Sequence, residues 1–422
     1  MKIKKAIIEN FKGIEHCEIE FGPDFNLLIG DNGVGKTSVL EALSVGLGGF
    51  IAGIGDVKTK HFTKDEIRII LENTGDGSYN RRYMTPVSVK CCVELEDQSV
   101  EWVRRKNSLT SSRSTVEPRT ICKIAEKMAN EPGHILPIIS YQSTARMWMQ
   151  KKESSENIFS GKFYRTVGYE NCLEEASNIK MLMNWIRHME KLEWKTKKNI
   201  AEYRGVMACV LKFMRIMEDE EILGVQYDDQ SDELVFVTKS ESLPIRALSS
   251  GYQSLIWMVL DIAYRMALLN PDLKSHIADV PGIIMVDELD MHLHPKWQWN
   301  VIQALRNTFP NVQFIAATHS PIIISSCKDE TLIRINKAHE IVYDKTPYGM
   351  DINETLSMYQ DSRAMAQNVE NLLERFYHCI DNDEFESAET YLQQLIDQLG
   401  ENHPKVTGAK VTLNFEKMPL EE

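Results

Sequence analysis

The sequence lacks any apolar segment long enough to cross a bilayer. Apolar runs such as residues 283–286 are far shorter than the roughly 20 residues that a spanning helix needs. The N-terminus, MKIKKAIIENF, alternates apolar and charged residues. This alternation predicts an edge strand rather than a signal peptide, whose apolar stretch would be longer and unbroken. We therefore expect no membrane partner and a cytoplasmic location.

The sequence also lacks a cysteine framework and an excess of basic residues. The eight cysteines form no CxxC pair, so reduced thiols in a cytosolic protein are the simplest interpretation. With 48 basic against 61 acidic residues, the formal net charge of -13 argues against a protein that coats duplex DNA. A local basic groove stays open as an alternative. Its candidates are residues 187–198 (RHMEKLEWKTKK) and 104–106, although a solvated helix face explains either segment about as well.

Internal repeats and low-complexity tracts are missing too, and the remaining pattern is globular. A hydrophobic content of 43% over 422 residues predicts a substantial core and about two or three domains. Continuous apolar runs at 282–286 and 312–317, with a predicted helix over 295–309 between them, are typical of parallel strands. The expected fold class is therefore α/β, with mixed and parallel sheets and flanking helices. Other predicted elements are hairpins over 2–21, 87–105 and 222–238, a strand over 135–141, two helices between 170 and 220, a helix over 253–269 and an acidic helical hairpin over 370–399.

Residues 28–38 read LIGDNGVGKTS and match the phosphate-loop pattern GxxxxGKT in full. A predicted strand over 26–29 enters the loop and a predicted helix over 37–46 leaves it, as the motif requires. Glycines let the backbone N–H groups turn toward an anion, Lys36 reaches the β- and γ-phosphates, and the Thr37 hydroxyl binds Mg²⁺. The nucleotide contacts predicted in this loop are Asn32, Gly33, Gly35, Lys36, Thr37 and Ser38.

An apolar strand that ends in two acids supplies the second half of a nucleotide site. The sequence IIMVDE ends in Asp287, which we predict to hold Mg²⁺, and in Glu288, which we predict to polarise an attacking water. The pattern is common by itself and gains weight because it follows a phosphate loop in the right order. The predicted ligands are ATP and Mg²⁺, and the predicted activity is ATP hydrolysis.

Two later segments resemble parts of ABC-type ATPases. LSSGYQ at 248–253 resembles the LSGGQ signature of that family, and one of its serines would cap the following helix. The resemblance implies that three residues of the signature face the nucleotide of an opposite subunit: Ser249, Ser250 and Gly251. THSP at 318–321 resembles the switch histidine that contacts the γ-phosphate, which assigns His319 to catalysis.

The same resemblance gives expectations for residues beside these motifs. Gln142, in YQS at the end of a predicted strand, is the candidate for the glutamine that senses Mg²⁺ and water. Arg146 would serve the nucleotide or the dimer face, and Asp290 would lie in the loop that crosses the dimer interface. His292 and His294 in that loop lack a third ligand of suitable spacing, so structural histidines are favoured over a metal pair.

Within the ABC ATPases, the chain resembles the SMC-, Rad- and RecF-like branch. The segments that carry this resemblance are IENFKG before the phosphate loop, and DELDMHLHPKWQ and ATHSP late in the chain. The resemblance implies that Lys12 approaches the nucleotide phosphates. Only 105 residues separate Gln142 from Leu248, too few for a DNA-entrapping coiled coil. Two helices of about 20–28 residues would form a short arm of about 30–40 Å.

The short insert, LPIISYQSTARMW and LSSGYQS resemble the ATPases of anti-phage Septu systems and of some retrons. That resemblance implies an HNH nuclease partner, a homodimer or higher homo-oligomer, and contact with DNA through the complex. The domains expected are an N-terminal lobe over 1–150, the arm over 151–220, a C-terminal lobe over 221–350, and an acidic helical region over 351–422. The last would contact a partner or another copy, although a solvated helical cap explains it more simply.

The expected function is an ATP-driven clamp that regulates a nuclease in antiviral defence. The alternative is a RecF-like repair ATPase that binds DNA directly, against which the net charge argues. A nuclease that acts alone finds no support, because no HNH, PD-ExK or TOPRIM pattern is present in the sequence.

Overall fold

The computed structural model describes residues 1–74, 78–96, 98–147, 164–174, 179–217, 222–239, 241–360 and 365–417. The chain divides into two compact units, Met1–Met350 and Asp351–Glu422. In the described part of the chain, no helix combines the length and apolar character needed to span a membrane. All eight cysteines are free thiols.

A six-stranded sheet forms the centre of the first unit. From one edge to the other its strands are β16 (Ile341–Asp344), β15 (Thr331–Ile335), β3 (Phe25–Ile29), β14 (Val312–Ala317), β13 (Gly282–Val286) and β9 (Ile138–Gln142). Every pair is parallel except β15 with β16. All residues of β3, β9, β13 and β14 are buried, which explains their unbroken apolar sequences. The predicted α/β class is confirmed.

A five-stranded antiparallel sheet forms the second layer. Its strands in order are β2 (Ile14–Glu20), β1 (Lys2–Phe11), β6 (Val87–Leu95), β7 (Gln98–Lys106) and β8 (Thr115–Glu117). The prediction that the N-terminus is an edge strand is wrong, because β1 pairs with both β2 and β6. Charged residues of β1 find partners across the sheet: Lys5 pairs with Glu18, and Glu9 accepts a hydrogen bond from Ser88 at 2.7 Å. The charged residues of β1 are therefore paired within the sheet and do not indicate an edge strand.

Helix α1 (Lys36–Ile51) lies between the two sheets and contacts strands of both. Every residue from Val39 to Ile51 is buried. Close approach to β7 depends on glycine, because a Cβ at Gly49 would lie 2.3 Å from Nε1 of Trp102. The same indole nitrogen donates to the carbonyl oxygen of Gly46 at 2.8 Å. The helix that starts at the phosphate loop is thus held between the two sheets by close packing.

Smaller elements complete the first unit. The strands are β4 (Ile69–Asn73), β5 (Tyr79–Tyr83), β10 (Ile222–Asp228), β11 (Glu233–Thr238) and β12 (Ser242–Pro244). The helices are α2 (Thr120–Asn130), α3 (Ile179–Thr196), α4 (Ala201–Met217), α5 (Ser250–Leu269), α6 (Pro295–Gln298), α7 (Val301–Thr308) and α8 (Pro321–Ser326).

Two helical segments differ from the sequence-based expectation. The helices of the predicted arm, α3 and α4, have 18 and 17 residues, and α4 packs against α5 and α7. The single helix expected over 295–309 is two helices, α6 and α7. The backbone N–H of Asn300 bonds to the carbonyl of Trp297 at 3.1 Å, so the turn tightens there and interrupts the α-helical pattern.

The second unit is helical. It contains α9 (Ile352–Tyr359), α10 (Gln367–Asp381), α11 (Phe385–Leu399) and α12 (Pro404–Glu416). The last three enclose a core in which Phe376, Ala388, Leu395 and Val406 are fully buried. The predicted helical hairpin corresponds to α10 and α11, and α12 packs against both.

Gln313 on β14 joins the two sheets through its side-chain amide, which is fully buried. Its Nε2 donates to the carbonyl oxygens of Ile3 at 2.8 Å and Gly22 at 2.7 Å, and its Oε1 accepts from the backbone N–H of Ile3 at 2.7 Å. One side chain therefore bonds three backbone groups near the N-terminus, of which the two on Ile3 are buried.

We expect Gln313→Leu to lower the midpoint of thermal unfolding, because each buried backbone group left without a partner costs about 1–3 kcal/mol. Gln303→Leu, on the exposed face of α7, is the matched control and should change stability by no more than about 0.5 kcal/mol. Equal midpoints for the two variants in calorimetry would contradict the bridging role of Gln313.

Candidate nucleotide site

The residues of the phosphate loop and the acid pair meet at the carboxyl edge of the parallel sheet. β3 leads into residues 30–35, β13 ends just before Asp287, β14 ends just before Thr318, and β9 ends at Gln142. Since β13 pairs directly with β9 and β14, these strand ends are neighbours. This edge is where α/β sheets commonly bind ligands.

The phosphate loop depends on backbone conformations that favour glycine. Gly30, Gly33 and Gly35 have φ angles of 135°, 81° and 99°, all in the left-handed region. A Cβ at Gly30 would also lie 2.4 Å from the carbonyl oxygen of Ile335. The predicted contacts Asn32, Gly33 and Thr37 are exposed, while Gly35 and Ser38 are half-buried. The loop is thus open to a ligand on one side and held against the sheet on the other.

Lys36 is held back inside its own loop. Its side chain is only 5% exposed, and Nζ donates to the carbonyl oxygens of Gly30 at 2.6 Å and Asp31 at 2.8 Å. Burial lowers the pKa of Lys36 to about 8, although the nearby carboxylates of Asp31 and Asp287 act in the opposite direction. A buried ammonium near its pKa gains much from an added anionic partner.

Thr37 and Asp287 lie side by side, as two residues predicted to bind the same Mg²⁺ ion must. The Thr37 hydroxyl donates to Oδ1 of Asp287 at 3.1 Å, and Asp287 is 2% exposed. A hydroxyl and a carboxylate are the few protein oxygens that Mg²⁺ usually takes beside waters and phosphates. Among the described residues no group of three or more His, Cys, Asp or Glu side chains could hold a metal ion. The pair therefore fits Mg²⁺ bound together with a phosphate ligand.

Glu288 turns out of the sheet directly after the buried Asp287. Its φ of 44° is left-handed, which is uncommon for a residue with a Cβ, and the residue is exposed. The turn separates the two acids: Asp287 is bonded to Thr37 of the loop, whereas Glu288 is exposed.

His319 closes the site from the end of β14. Its Nδ1 lies 3.5 Å from Nζ of Lys36, and its backbone N–H donates to Oδ1 of Asp290 at 3.1 Å. Burial and, second, the charge of Lys36 lower the pKa of His319, so the ring is neutral at pH 7. Because the ammonium can only donate, Nδ1 is the acceptor and Nε2 carries the proton.

Asp290 positions His319 within the same chain. Its Oδ1 accepts from the hydroxyl of Thr318 as well as from the backbone of His319. The sequence had assigned Asp290 only to a dimer-crossing loop, and this contact was not foreseen. The two histidines that follow serve local structure in part: Nδ1 of His294 caps α6 by accepting from the backbone N–H of Lys296 at 3.3 Å.

Gln142 is held by α5. Its Nε2 donates to Oγ of Ser140 at 3.0 Å and to Oδ2 of Asp261 at 2.8 Å, which leaves Oε1 as the amide atom that could face a metal. Nε of Arg265 donates to the same oxygen of Asp261 at 2.9 Å. The sequence analysis missed this pair. A signal was available, because Asp261 and Arg265 are the only charged residues in the apolar sequence of α5.

The signature serines start α5 and are exposed. Oγ of Ser249 accepts from the backbone N–H of Tyr252 at 3.4 Å, as predicted for an N-cap. Gly251 is pressed against the loop after the acid pair, since a Cβ there would lie 2.0 Å from the carbonyl oxygen of His292. Within the described residues no hydrogen bond joins the signature to the phosphate loop of its own chain. Its contact with a nucleotide of another copy stays a prediction.

Lys12 and Arg146 are not placed against the loop by any described contact. Nζ of Lys12 forms an ion pair with Glu41, whose side chain is 8% exposed. The side chain of Arg146 lies outside the described residues. A turn that the sequence did not indicate does border the loop: Nζ of Lys337 lies 3.7 Å from Oδ2 of Asp31, and a Cβ on Gly35 would meet the His339 ring at 3.5 Å.

Comparisons with known proteins found ATPase families and relatives. A family described as an AAA domain matches residues 5–205, and one described as an AAA ATPase domain matches residues 121–324. The retron Vc95 probable ATPase of Vibrio cholerae is 25% identical over 413 residues, with 82% of this chain and 76% of the relative covered. The retron Ec83 probable ATPase of Escherichia coli is 23% identical, with 83% and 74% covered. Septu protein PtuA of Bacillus thuringiensis is 22% identical, with 79% and 75% covered.

Solved SMC head domains also resemble the chain. An SMC head bound to the C-terminal winged-helix domain of ScpA has a TM-score of 0.49 at 15% identity, with 82% of this chain and 98% of that chain covered. The SMC head domain from Thermotoga maritima has a TM-score of 0.45 at 15% identity, with 82% and 100% covered.

We expect the affinity for ATP to fall above pH 8, because phosphates favour the charged form of Lys36, whose pKa is about 8. Below that pH the lysine already carries its proton. Above it, binding must take up a proton, and the affinity drops by up to about tenfold per pH unit. Calorimetric titrations in two buffers with different ionisation enthalpies should show almost no proton uptake at pH 7 and close to one proton at pH 9.

The control for this experiment is Lys58→Gln, which removes an exposed lysine outside the site and should leave the proton uptake unchanged. Proton uptake that does not vary between pH 7 and pH 9 in the parent protein would show that Lys36 is not the group titrated by phosphate.

Proposed function

We propose that this chain, a homologue of the retron ATPases and of the Septu protein PtuA, binds and hydrolyses ATP and works as a nucleotide-dependent clamp. The observation that carries the proposal is the convergence of two pairs at one sheet edge. Nζ of Lys36 lies 3.5 Å from Nδ1 of His319, and the Thr37 hydroxyl oxygen lies 3.1 Å from Oδ1 of Asp287. A cation, a neutral imidazole, a hydroxyl and a carboxylate in this arrangement suit the phosphates of ATP and their metal ion.

Phosphate binding begins with an exchange of partners at Lys36. The ammonium gives up the carbonyl oxygens of Gly30 and Asp31 and takes phosphate oxygens instead, while the backbone of the loop surrounds the same anion. Thr37 and Asp287 would hold Mg²⁺, which neutralises phosphate charge when it is bound. Gln142 would reach the same metal through Oε1.

The chemical step falls to Glu288 and His319. Glu288 accepts a proton from the water whose oxygen bonds to the γ-phosphorus, while the bond from that phosphorus to the bridging oxygen breaks and ADP leaves with phosphate. The neutral His319 donates from Nε2 to an oxygen of the γ-phosphate, and Asp290 fixes the backbone of that histidine. Products leave once the γ-phosphate no longer links the two sides of the site.

The clamp requires a second copy. Ser249 and Ser250 are exposed at the N-terminus of the 20-residue helix α5, where the helix dipole and the backbone N–H groups favour an anion. In the proposed dimer they close over the triphosphate held by Lys36 of the other copy. ATP and ADP then favour different assemblies, because only ATP offers the γ-phosphate to both copies.

The output of the clamp is control of a partner nuclease of the HNH class, similar to PtuB, in anti-phage defence. Support comes from the homology to Septu PtuA and to retron ATPases, whose likeness extends over most of the chain. The helical unit Asp351–Glu422 is the proposed contact for that partner or for other copies, and DNA is reached through the complex.

Glu288→Gln should bind ATP as tightly as the parent chain, while its turnover falls by about 10²–10⁴-fold because the general base is lost. The ATP-bound dimer should persist in light scattering after the parent protein has returned to its resting mass. Glu117→Gln, an exposed glutamate on β8, is the matched control and should keep parent turnover. Normal turnover in Glu288→Gln would remove Glu288 from its assigned role.

Co-expression with an HNH nuclease from a Septu system should give a complex whose mass differs between ATP and ADP. Native mass spectrometry of the purified complex measures this directly. Lys36→Met should make the mass independent of nucleotide, because the ammonium that binds the phosphates is gone. A complex with the same mass in every nucleotide state would refute the clamp, and failure of the two proteins to associate would refute the partner.

A further inference from the structure

The last turn of α3, next to the chain reversal into α4, carries an unusually exposed tryptophan. We call residues 191–200 the hairpin tip. Trp194 at this tip is 85% exposed, whereas Trp102 and Trp185 are almost completely buried. Burial of a tryptophan side chain is strongly favourable, so an indole left in water at the end of a helical hairpin needs an explanation.

The hairpin tip is held in a defined conformation. Oε1 of Glu193, which is 7% exposed, accepts from the backbone N–H of Ile200 at 2.6 Å, and its carboxylate pairs with Arg204. Glu190 accepts from the hydroxyl of Tyr203 at 3.0 Å. Lys197 has a φ of 53°, a left-handed conformation that reverses the chain after α3. The indole is therefore presented from a fixed turn.

The hairpin tip is also basic. Lys195, Lys197 and Lys198 are exposed, and none of them forms an ion pair with another described residue. Residues 191–200 contain four lysines and one acid, Glu193, which pairs with Arg204, while Glu190 and Glu202 flank the tip, so that lysines remain in excess. On α3, Lys195 follows Trp194 directly, and Lys191 lies one turn earlier on the same face. The indole thus stands where positive charges are in excess.

The negative charge of the chain does not argue against an anionic partner here. Residues 351–422 contain fifteen acidic and five basic residues, so they carry ten of the thirteen net negative charges. The first unit is therefore nearly neutral, with a net charge of about -3 by the same count. A basic hairpin tip on a nearly neutral body can attract phosphates locally.

We propose that the hairpin tip binds single-stranded nucleic acid, with Trp194 stacked on a base and the three lysines on neighbouring phosphates. Every base offers an aromatic face, and stacking on one side chain needs a base that is not already stacked in a duplex. A protein partner is less well matched, because docking surfaces for proteins usually present a contiguous apolar patch. Here one indole projects among ammonium groups, with only the 38%-exposed Leu192 beside it.

The test is fluorescence anisotropy with the full chain and a labelled twenty-nucleotide oligothymidylate, without ATP. We expect saturable binding that Trp194→Ala weakens about tenfold or more, while Trp194→Phe retains most of the affinity. The triple change of Lys195, Lys197 and Lys198 to Gln should reduce the salt dependence, with log K against log salt flatter by about 2. Quenching of tryptophan emission on binding should disappear in Trp194→Phe.

Two matched controls remove equivalent groups elsewhere and should bind as the parent does. Phe415→Ala removes another exposed aromatic side chain, and a triple lysine-to-glutamine variant removes the exposed Lys58, Lys123 and Lys127. ATP hydrolysis without nucleic acid should be unchanged in all tip variants, since none of these residues belongs to the nucleotide site.

Three outcomes would overturn the proposal. The first is no binding of oligothymidylate by the parent chain at 50 mM salt, and the second is equal binding by parent and Trp194→Ala. The third is tip-dependent binding of polyglutamate with equal or higher affinity, which would identify an acidic protein surface as the partner. Because no nucleotide is needed, failure here is distinguishable from failure of the proposed clamp.

Discussion

The parallel pairing of β13 with β9 and β14 is the constraint on which the candidate site depends. Parallel strands in register end together, so Gln142, Asp287 and Thr318 meet at one edge although they are far apart in the chain. β3 then adds the phosphate loop beside β14. Every residue of these strands is buried, so close packing of side chains on both faces fixes that register. The positions of the candidate site residues at this sheet edge therefore depend on the packing of the buried strands.

The sequence predicted well those features that a short segment specifies. The strand and helix on either side of the loop and the apolar strand before the acid pair are specified by neighbouring residues, and the α/β class followed from strands and helices of clear period. Element boundaries were less certain, as the break between α6 and α7 shows, because a tightened turn at Asn300 has no strong sequence signal.

Features that depend on distant partners could not be predicted. The edge-strand interpretation of the N-terminus failed because pairing of β1 with β6 is a tertiary contact. The ion pair of Lys12 with a glutamate on α1 is likewise a tertiary contact that the sequence did not indicate, and the assignment of Lys12 to phosphates stays a prediction. The net charge is a coarse guide for a different reason, because a sum over the chain hides where the charges lie. Ten of the thirteen net negative charges belong to residues 351–422, and so they say little about the surface of the other unit.

The contact between Gly251 and His292 has a mechanical consequence. At this point α5 touches the backbone of the 289–294 loop with no side chain between them that could yield. Asp290 in that loop accepts hydrogen bonds from Thr318 and from the backbone of His319 at the end of β14. A displacement of the first turn of α5 would therefore press on the 289–294 loop, whose Asp290 is bonded to the backbone of His319. A neighbouring molecule that displaces Ser249 and Ser250 would therefore also displace His319, while the core stays in place.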